Sequence, residues 1–362
     1  MIPRGSKLAF VTLMVGALVL ASCGGGTSAP TPTTPVAAAT VAATPKPPKD
    51  QVKLPGVLSY ELNLPSLVAY SKDYFGEENI EITDFVLGSG GTIRQAFIAK
   101  EYDFGLFAFV HVPIARLAGS PWKTVFQTHD REIFSFVVRS GLKDKVKTVA
   151  DLKGMKVGFT TPGAGAWAFA QIFLKQAGLD PNKDVELVSL GGDAGVIYTA
   201  LQTGRIDAFP TWEPNTTRAL DAGIVYPLIS IYEKGVQLKV MGSENAAATM
   251  LVTREEVIAA KPDLVKRMVN AHKKGIDFIR SNSAAAVADV VLGNAKAAEQ
   301  FKGLEKAMVV KILESLKGGF GTGCLSKSGF DAEMKVSVDY GLVKSAITYK
   351  DFADPTWAGE CP

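Results

Sequence analysis

Histidine and cysteine are scarce in this chain, with three of each among 362 residues. The histidines, His111, His129 and His272, lie far apart, and neither H-E-x-x-H nor a paired C-x-x-C occurs, so no metal site is expected. A G-x-S-x-G elbow and a Walker phosphate loop are also missing. The run at 318–323 is rich in glycine, but it follows a predicted helix rather than a strand and adjoins Cys324, which suits a flexible connection better than a phosphate cradle. No block of basic residues occurs: 39 basic and 36 acidic residues leave a net charge of +3, and nothing points to nucleic acid as a partner. No apolar run reaches the ~20 residues that a membrane-spanning helix needs. These absences leave no catalytic residue, metal or cofactor to assign.

What is present begins at the N-terminus. Arg4 and Lys7 precede an apolar run over 8–21, the form of a signal-peptide core, so residues 1–22 are expected to be a signal segment. The run closes in Leu20-Ala21-Ser22-Cys23, which resembles a bacterial lipobox and makes Cys23 the candidate for lipidation, a plain secretory signal being the other reading. Residues 23–50 contain Gly, Ser, Thr, Pro and Ala and no aromatic side chain. Such a segment buries too little surface to offset chain entropy and reads as a disordered tether to a membrane. With Cys23 set aside, Cys324 and Cys361 remain, and an even pair in an oxidising compartment predicts one disulfide, with free buried thiols as the alternative.

From residue 52 onward apolar strands alternate with amphipathic helices: strands over 52–59, 80–86 and 104–109, helices over 65–75 and 92–100, then two strands within 122–139. This order predicts an α/β fold. A strand-like run follows residue 242, and the rest is helical, over 255–260, 262–280, 284–292, 305–316 and 330–343. An internal echo suggests two lobes. A-F-I-A-K-E-Y-D-F from Ala96 and A-L-Q-T-G-R-I-D-A from Ala200 each close a helix, turn, and open a strand, and each follows a Gly-Gly loop, at Gly90-Gly91 and Gly191-Gly192.

The most informative stretch is 148–214. D-L-K-G-M-K-V-G forms a turn and a strand, T-P-G-A-G a small-residue loop, and Trp167, Phe169, Ile172, Phe173 and Leu174 recur at helical spacing up to the stop at Gly178. The loop thus joins a strand end to a helix start, where free backbone N–H groups hold polar or anionic atoms; a tight turn with no ligand is the plain alternative. The segments A-G-L-D-P, L-G-G-D, A-L-Q-T-G-R-I-D-A and W-E-P complete the unit. Together these pieces resemble the nitrate, sulfonate, taurine and thiamine-pyrimidine group of substrate-binding proteins for ABC importers.

The resemblance implies an α/β, two-lobed periplasmic-binding-protein fold, each lobe a sheet flanked by helices, with a hinge and a ligand cleft between them. The first lobe would be discontinuous, 51–138 with 243–362, and the second would span 139–242. It implies an extracytoplasmic, lipid-anchored monomer that closes on a small-molecule ligand and delivers it to an ABC permease and its ATPase. Ligands of open α/β sheets bind beyond the carboxyl ends of strands. The candidate contacts are therefore Tyr60 in an exit loop at 59–63, Ser89, Gly90, Phe109, His129, Thr161, Gly163, Gly165, Trp167, Asp193, Trp212 and Glu213. The aromatics among them read equally as core, His129 as a hinge residue, and Asp193 and Glu213 as helix-start acids. His111 is an alternative facing the cleft, and His272, beside Lys273 and Lys274, is expected in solvent. These loops hold Glu61, Asp130, Asp193 and Glu213 but only Arg94 and Arg131 as nearby cations. That balance favours a neutral or nitrogen-containing ring such as a pyrimidine over a sulfonate, nitrate or taurine anion. An enzyme acting on a pyrimidine precursor and a sensory binding module are the rival functions.

Overall fold

The computed structural model describes residues 47–362. The signal segment, the lipidation at Cys23 and most of the tether lie outside them. The tether expected to run to residue 50 stops short of it, because Asp50 opens the first strand and pairs its carboxylate with Arg267 at 2.6 Å.

Among the described residues, ten strands divide between two lobes. In the first, β1 (Asp50–Gly56) pairs parallel with β2 (Ile80–Leu87), while β3 (Gly105–Ala108) and β4 (Trp122–His129) flank the last strand of the chain, β10 (Thr249–Arg254), both antiparallel to it. The second lobe is one sheet built from β5 (Ser135–Arg139), β6 (Lys156–Phe159), β7 (Glu186–Ser189), β8 (Ala208–Thr211) and β9 (Val225–Ile229), in the order β7-β6-β8-β5-β9. Its β6 pairs parallel with β7 and β8, and β5 runs antiparallel to β8 and β9. Strand β5, assigned from sequence mainly to the first lobe, thus belongs to the second, and the chain crosses earlier, over 130–134. It returns over 230–248. The crossings lie side by side: Gln237 Oε1 accepts from Glu132 N–H at 3.0 Å and Asp130 O accepts from Ala246 N–H at 2.8 Å.

Apolar spacing accounts for the packing. Helix Gly165–Gln176 turns Phe169 and Phe173 inward, where their rings stack on Phe134 and Phe136 at centroid distances of 4.8 and 5.2 Å. On the first lobe, helices Pro262–Ser281, Ala284–Leu292 and Lys306–Leu316 cover one side and helix Lys327–Asp339 the other. No helix among the described residues is long and apolar enough to cross a membrane.

Two local expectations need correction. Residues 59–63 are not an exit loop; they begin helix Tyr60–Ser71, with Ser59 as N-cap accepting from Leu62 N–H, so the helix starts ahead of Pro65. Pro65 has no N–H to give the carbonyl of Glu61 four residues back. That carbonyl takes the hydroxyl of Thr249 instead, at 3.4 Å. His272 is fully buried rather than solvated. Its helix turns that face onto Tyr60–Ser71, where Nε2 meets Ser66 Oγ at 2.9 Å and Nδ1 meets Met268 O at 2.7 Å.

Candidate functional site

Where the exits of β1, β3, β6 and β8 converge, a cavity of about 30 Å³ lies between the lobes. The first lobe supplies Val57, Ser59, Leu62, Gly90, Phe107 and His111; the second supplies Thr160, Gly165 and Trp212, and the crossing adds Ile133 and Phe134. None of the lining side chains is a carboxylate, lysine or arginine. The volume suits about one water.

Sequence places the rings through ordinary packing rules. Trp212 follows β8, and its indole N–H donates to Leu58 O at 2.7 Å. Phe134 sits edge-on to it, with centroids 5.9 Å apart, and is held from behind by Phe169. Gly165 opens its helix directly against Phe134, where a methyl group would approach the ring to 2.5 Å.

The loop before that helix is tied to the first lobe by Arg94, on helix Gly90–Ile98. Arg94 Nη1 donates to Gly163 O at 2.6 Å and Nη2 to Pro162 O at 3.4 Å. Gly163 has φ +73°, a left-handed conformation that glycine adopts without the steric cost of a side chain. The two echoed Gly-Gly loops also meet, since a methyl group on Gly192 would lie 3.0 Å from Ser89 Cα.

Of the residues expected at the site, Gly90, Gly165 and Trp212 line the cavity, whereas Gly163, bonded to Arg94 through its carbonyl, does not. Thr161 lies one residue past the lining Thr160 and faces Gly91. Ser89 caps helix Gly90–Ile98 and Asp193 caps helix Ala194–Gln202, neither lining the cavity. Tyr60 is in the core: its ring is 4.5 Å from that of Phe301 and its hydroxyl donates to Gln300 O at 3.1 Å. Phe109 packs between Phe330 and Phe352. Trp167 is half-buried against the second-lobe core. His129 is buried beside the first crossing, its Nδ1 2.7 Å from Arg131 O and its Nε2 3.3 Å from Leu316 O.

Glu213 lies behind the cavity wall, 2% exposed, with its carboxylate accepting from the hydroxyl and N–H of Thr217 at 3.0 and 3.2 Å. Glu61, fully buried, accepts from Glu213 N–H at 3.0 Å and from Ser59 Oγ at 2.7 Å, and meets the Tyr232 hydroxyl. Burial raises both carboxyls, Glu213 to about 8 with Glu61 adding to the shift. These acids join the lobes and do not line the cavity. Sequence reasoning missed Phe107, Phe134 and Thr160 as cavity-lining residues. Only the run of apolar and small residues around them hinted at burial.

Two α/β lobes joined by adjacent crossings, with a cavity where their strand-exit loops meet, define the two-lobed fold of the periplasmic binding proteins. A family description, NMT1/THI5 like, matches residues 63–286. The chain is 30% identical to the riboflavin-binding protein RibY of Chloroflexus aurantiacus, over 75% of its own length and 74% of that protein's. It shares the fold of the alkanesulfonate-binding protein SsuA from Xanthomonas axonopodis pv. citri, with TM-score 0.68, 17% identity, and coverage of 85% of this chain and 100% of that one. It also shares the fold of the periplasmic nitrate-binding protein NrtA from Synechocystis PCC 6803, with TM-score 0.61, 17% identity, and coverage of 76% and 72%. The protein belongs to the NMT1/THI5-like family.

Proposed function

We propose that this protein is the extracytoplasmic solute-binding component of an ABC importer and that its solute is an uncharged, flat nitrogen heterocycle of pyrimidine or flavin type. The observation carrying this reading is the cavity wall: Phe107, Phe134 and Trp212 line it and no ionised side chain does. Rigid rings bury large area at low ordering cost and suit a planar ligand. An uncharged wall gives no counter-charge to a desolvated anion. The kinship to a riboflavin-binding protein agrees with it.

The ligand enters between parted lobes, touches residues of both, and stabilises the closed arrangement because only that arrangement offers it both sets of contacts. The permease and its ATPase then receive the closed form, and no chemistry is required of the binding protein. Lipidation at Cys23 would keep it tethered outside the cell.

A second reading has one observation in its favour. Helices Gly90–Ile98 and Gly165–Gln176 both begin at the cavity, and free N–H groups at helix starts bind anions such as a sulfonate. Calorimetry decides between them, using riboflavin, 4-amino-5-hydroxymethyl-2-methylpyrimidine, an alkanesulfonate and nitrate, with mass spectrometry of whatever co-purifies with natively released protein. Binding of a heterocycle supports the first reading; tight sulfonate binding with no response to either heterocycle replaces it with the second.

A further inference from the structure

Two hydrogen-bonding groups in the cavity wall lack a protein partner. Thr160 is 3% exposed and lines the cavity, yet its Oγ1 makes no hydrogen bond among the described residues. Buried hydroxyls are ordinarily paired, so an orphan on a residue that lines the cavity calls for a partner.

The other group follows from what a guanidinium can do. Arg94 Nη1 lies 3.1 Å from His111 Nδ1. Arginine has only donors, so Nδ1 must supply a lone pair, and the one proton of the neutral imidazole sits on Nε2. Burial, with the Arg94 charge adding to it, lowers the His111 pKa to about 3, so the ring is neutral at physiological pH. Among the described residues Nε2–H has no acceptor. Its edge faces Gly90, where a methyl group would come within 2.7 Å of Nε2, and both residues line the cavity. The missing side chain at Gly90 leaves the N–H uncovered.

We propose that His111 and Thr160 are the specificity-determining pair of this cleft, gripping the polar edge of the ligand from opposite lobes. His111 Nε2–H demands an acceptor there, a ring carbonyl oxygen or a pyridine-type nitrogen, and the Thr160 hydroxyl takes a neighbouring donor or acceptor. Arg94 is a positioning residue: it sets the His111 tautomer and, through the carbonyls of Pro162 and Gly163, anchors the loop that follows Thr160. A ligand with an acceptor edge meets both groups only when the lobes are closed, which couples selection to closure. This inference rests on the reading that the cavity takes an uncharged ring.

The test uses riboflavin, whose ring system carries two carbonyl oxygens, followed by quenching of flavin fluorescence. His111→Phe and Thr160→Val are each expected to weaken binding about tenfold, the worth of one hydrogen bond in a buried site, with His111→Gln recovering part of the loss by restoring a donor. Wild-type binding with unchanged affinity in both variants overturns the pair while leaving the heterocycle reading intact. Failure of the wild type to bind riboflavin or the hydroxymethylpyrimidine overturns both. A ligand-free measurement stands beside these. In protein labelled with ¹⁵N-histidine, His111, identified by loss of its signals in His111→Phe, should show a pyridine-type Nδ1 and a protonated Nε2. In Arg94→Met the two tautomers should mix. A protonated Nδ1 in the wild type overturns the proposal.

Discussion

The indole N–H of Trp212 donates to the carbonyl of Leu58 at 2.7 Å, so a ring at the end of β8 in the second lobe is fastened to the chain leaving β1 in the first. A backbone bond from Tyr60 N–H to Glu213 O, 3.2 Å long, runs beside it. The ring is therefore oriented by a link between the lobes while it walls the cavity. Trp212→Ala should weaken riboflavin binding by about 1–3 kcal/mol, the scale of burying an aromatic or aliphatic side chain. Trp212→Phe keeps the ring, loses the link, and should fall between. Unchanged affinity in the alanine variant would assign the ring to the core alone.

Glu213 predicts a pH dependence whose sign can be worked out. Its folded pKa, raised to about 8 by burial with Glu61 adding to it, exceeds the ordinary value of 4.5. Between these values the folded state holds a proton that the unfolded state has released, so stability falls as pH rises from about 4.5 to about 8 and levels off above. Glu213→Gln removes the titration. Its melting temperature, compared with that of the wild type across this range, should gain on it as pH rises; parallel profiles would show that Glu213 ionises normally.

Histidines act in the opposite direction. Burial lowers His129 and His272 to about 4, against an ordinary 6.5. Here the unfolded state takes up protons first, so stability is lost as pH falls from about 6.5 to about 4. In His272→Phe that acid-side loss should shrink, as read from denaturant midpoints. Equal loss in both proteins would place the effect elsewhere.

Cys324 and Cys361 are bonded, separated by 37 positions in the chain, and Cys361 N–H also donates to Leu325 O at 3.0 Å. The bond shortens the unfolded chain's reach, and replacing both cysteines by serine should cost about 2–4 kcal/mol. Riboflavin affinity should hold, since neither cysteine lines the cavity. Equal denaturant midpoints for the wild type and the double variant would show that the pinned tail carries no stability.

At Gly163 the backbone is left-handed, and a methyl group there would lie 3.1 Å from the Arg94 guanidinium. Gly163→Ala should cost about 1–2 kcal/mol from the left-handed conformation alone and loosen the Arg94 clasp. Chemical denaturation measures the first effect. A midpoint equal to that of the wild type would show that the loop turns another way.

Much of the fold was legible beforehand. Helices 255–260 and 284–292 have the bounds expected from the sequence. The Gly-Gly loops of the two echoed units do meet, at Ser89 and Gly192. The helix expected from residue 65 begins at Tyr60, and nothing in the sequence announces that Thr249, far along the chain, satisfies the carbonyl that Pro65 leaves free. His272 looked solvated from its lysine neighbours. Helical rotation places it on the opposite face from them, against Ser66.

By itself the chain determined the alternation of strands and helices and which loops carry small and aromatic residues, because these depend on spacing along one segment. Only the tertiary structure decided which rings wall the cavity. Tyr60, Phe109, Phe134 and Trp212 are alike as sequence, all apolar rings near strand ends, and what separates core from cavity wall is the partner each meets from a distant segment: Phe301 for Tyr60, Phe330 for Phe109, and the opposite lobe for Phe134 and Trp212.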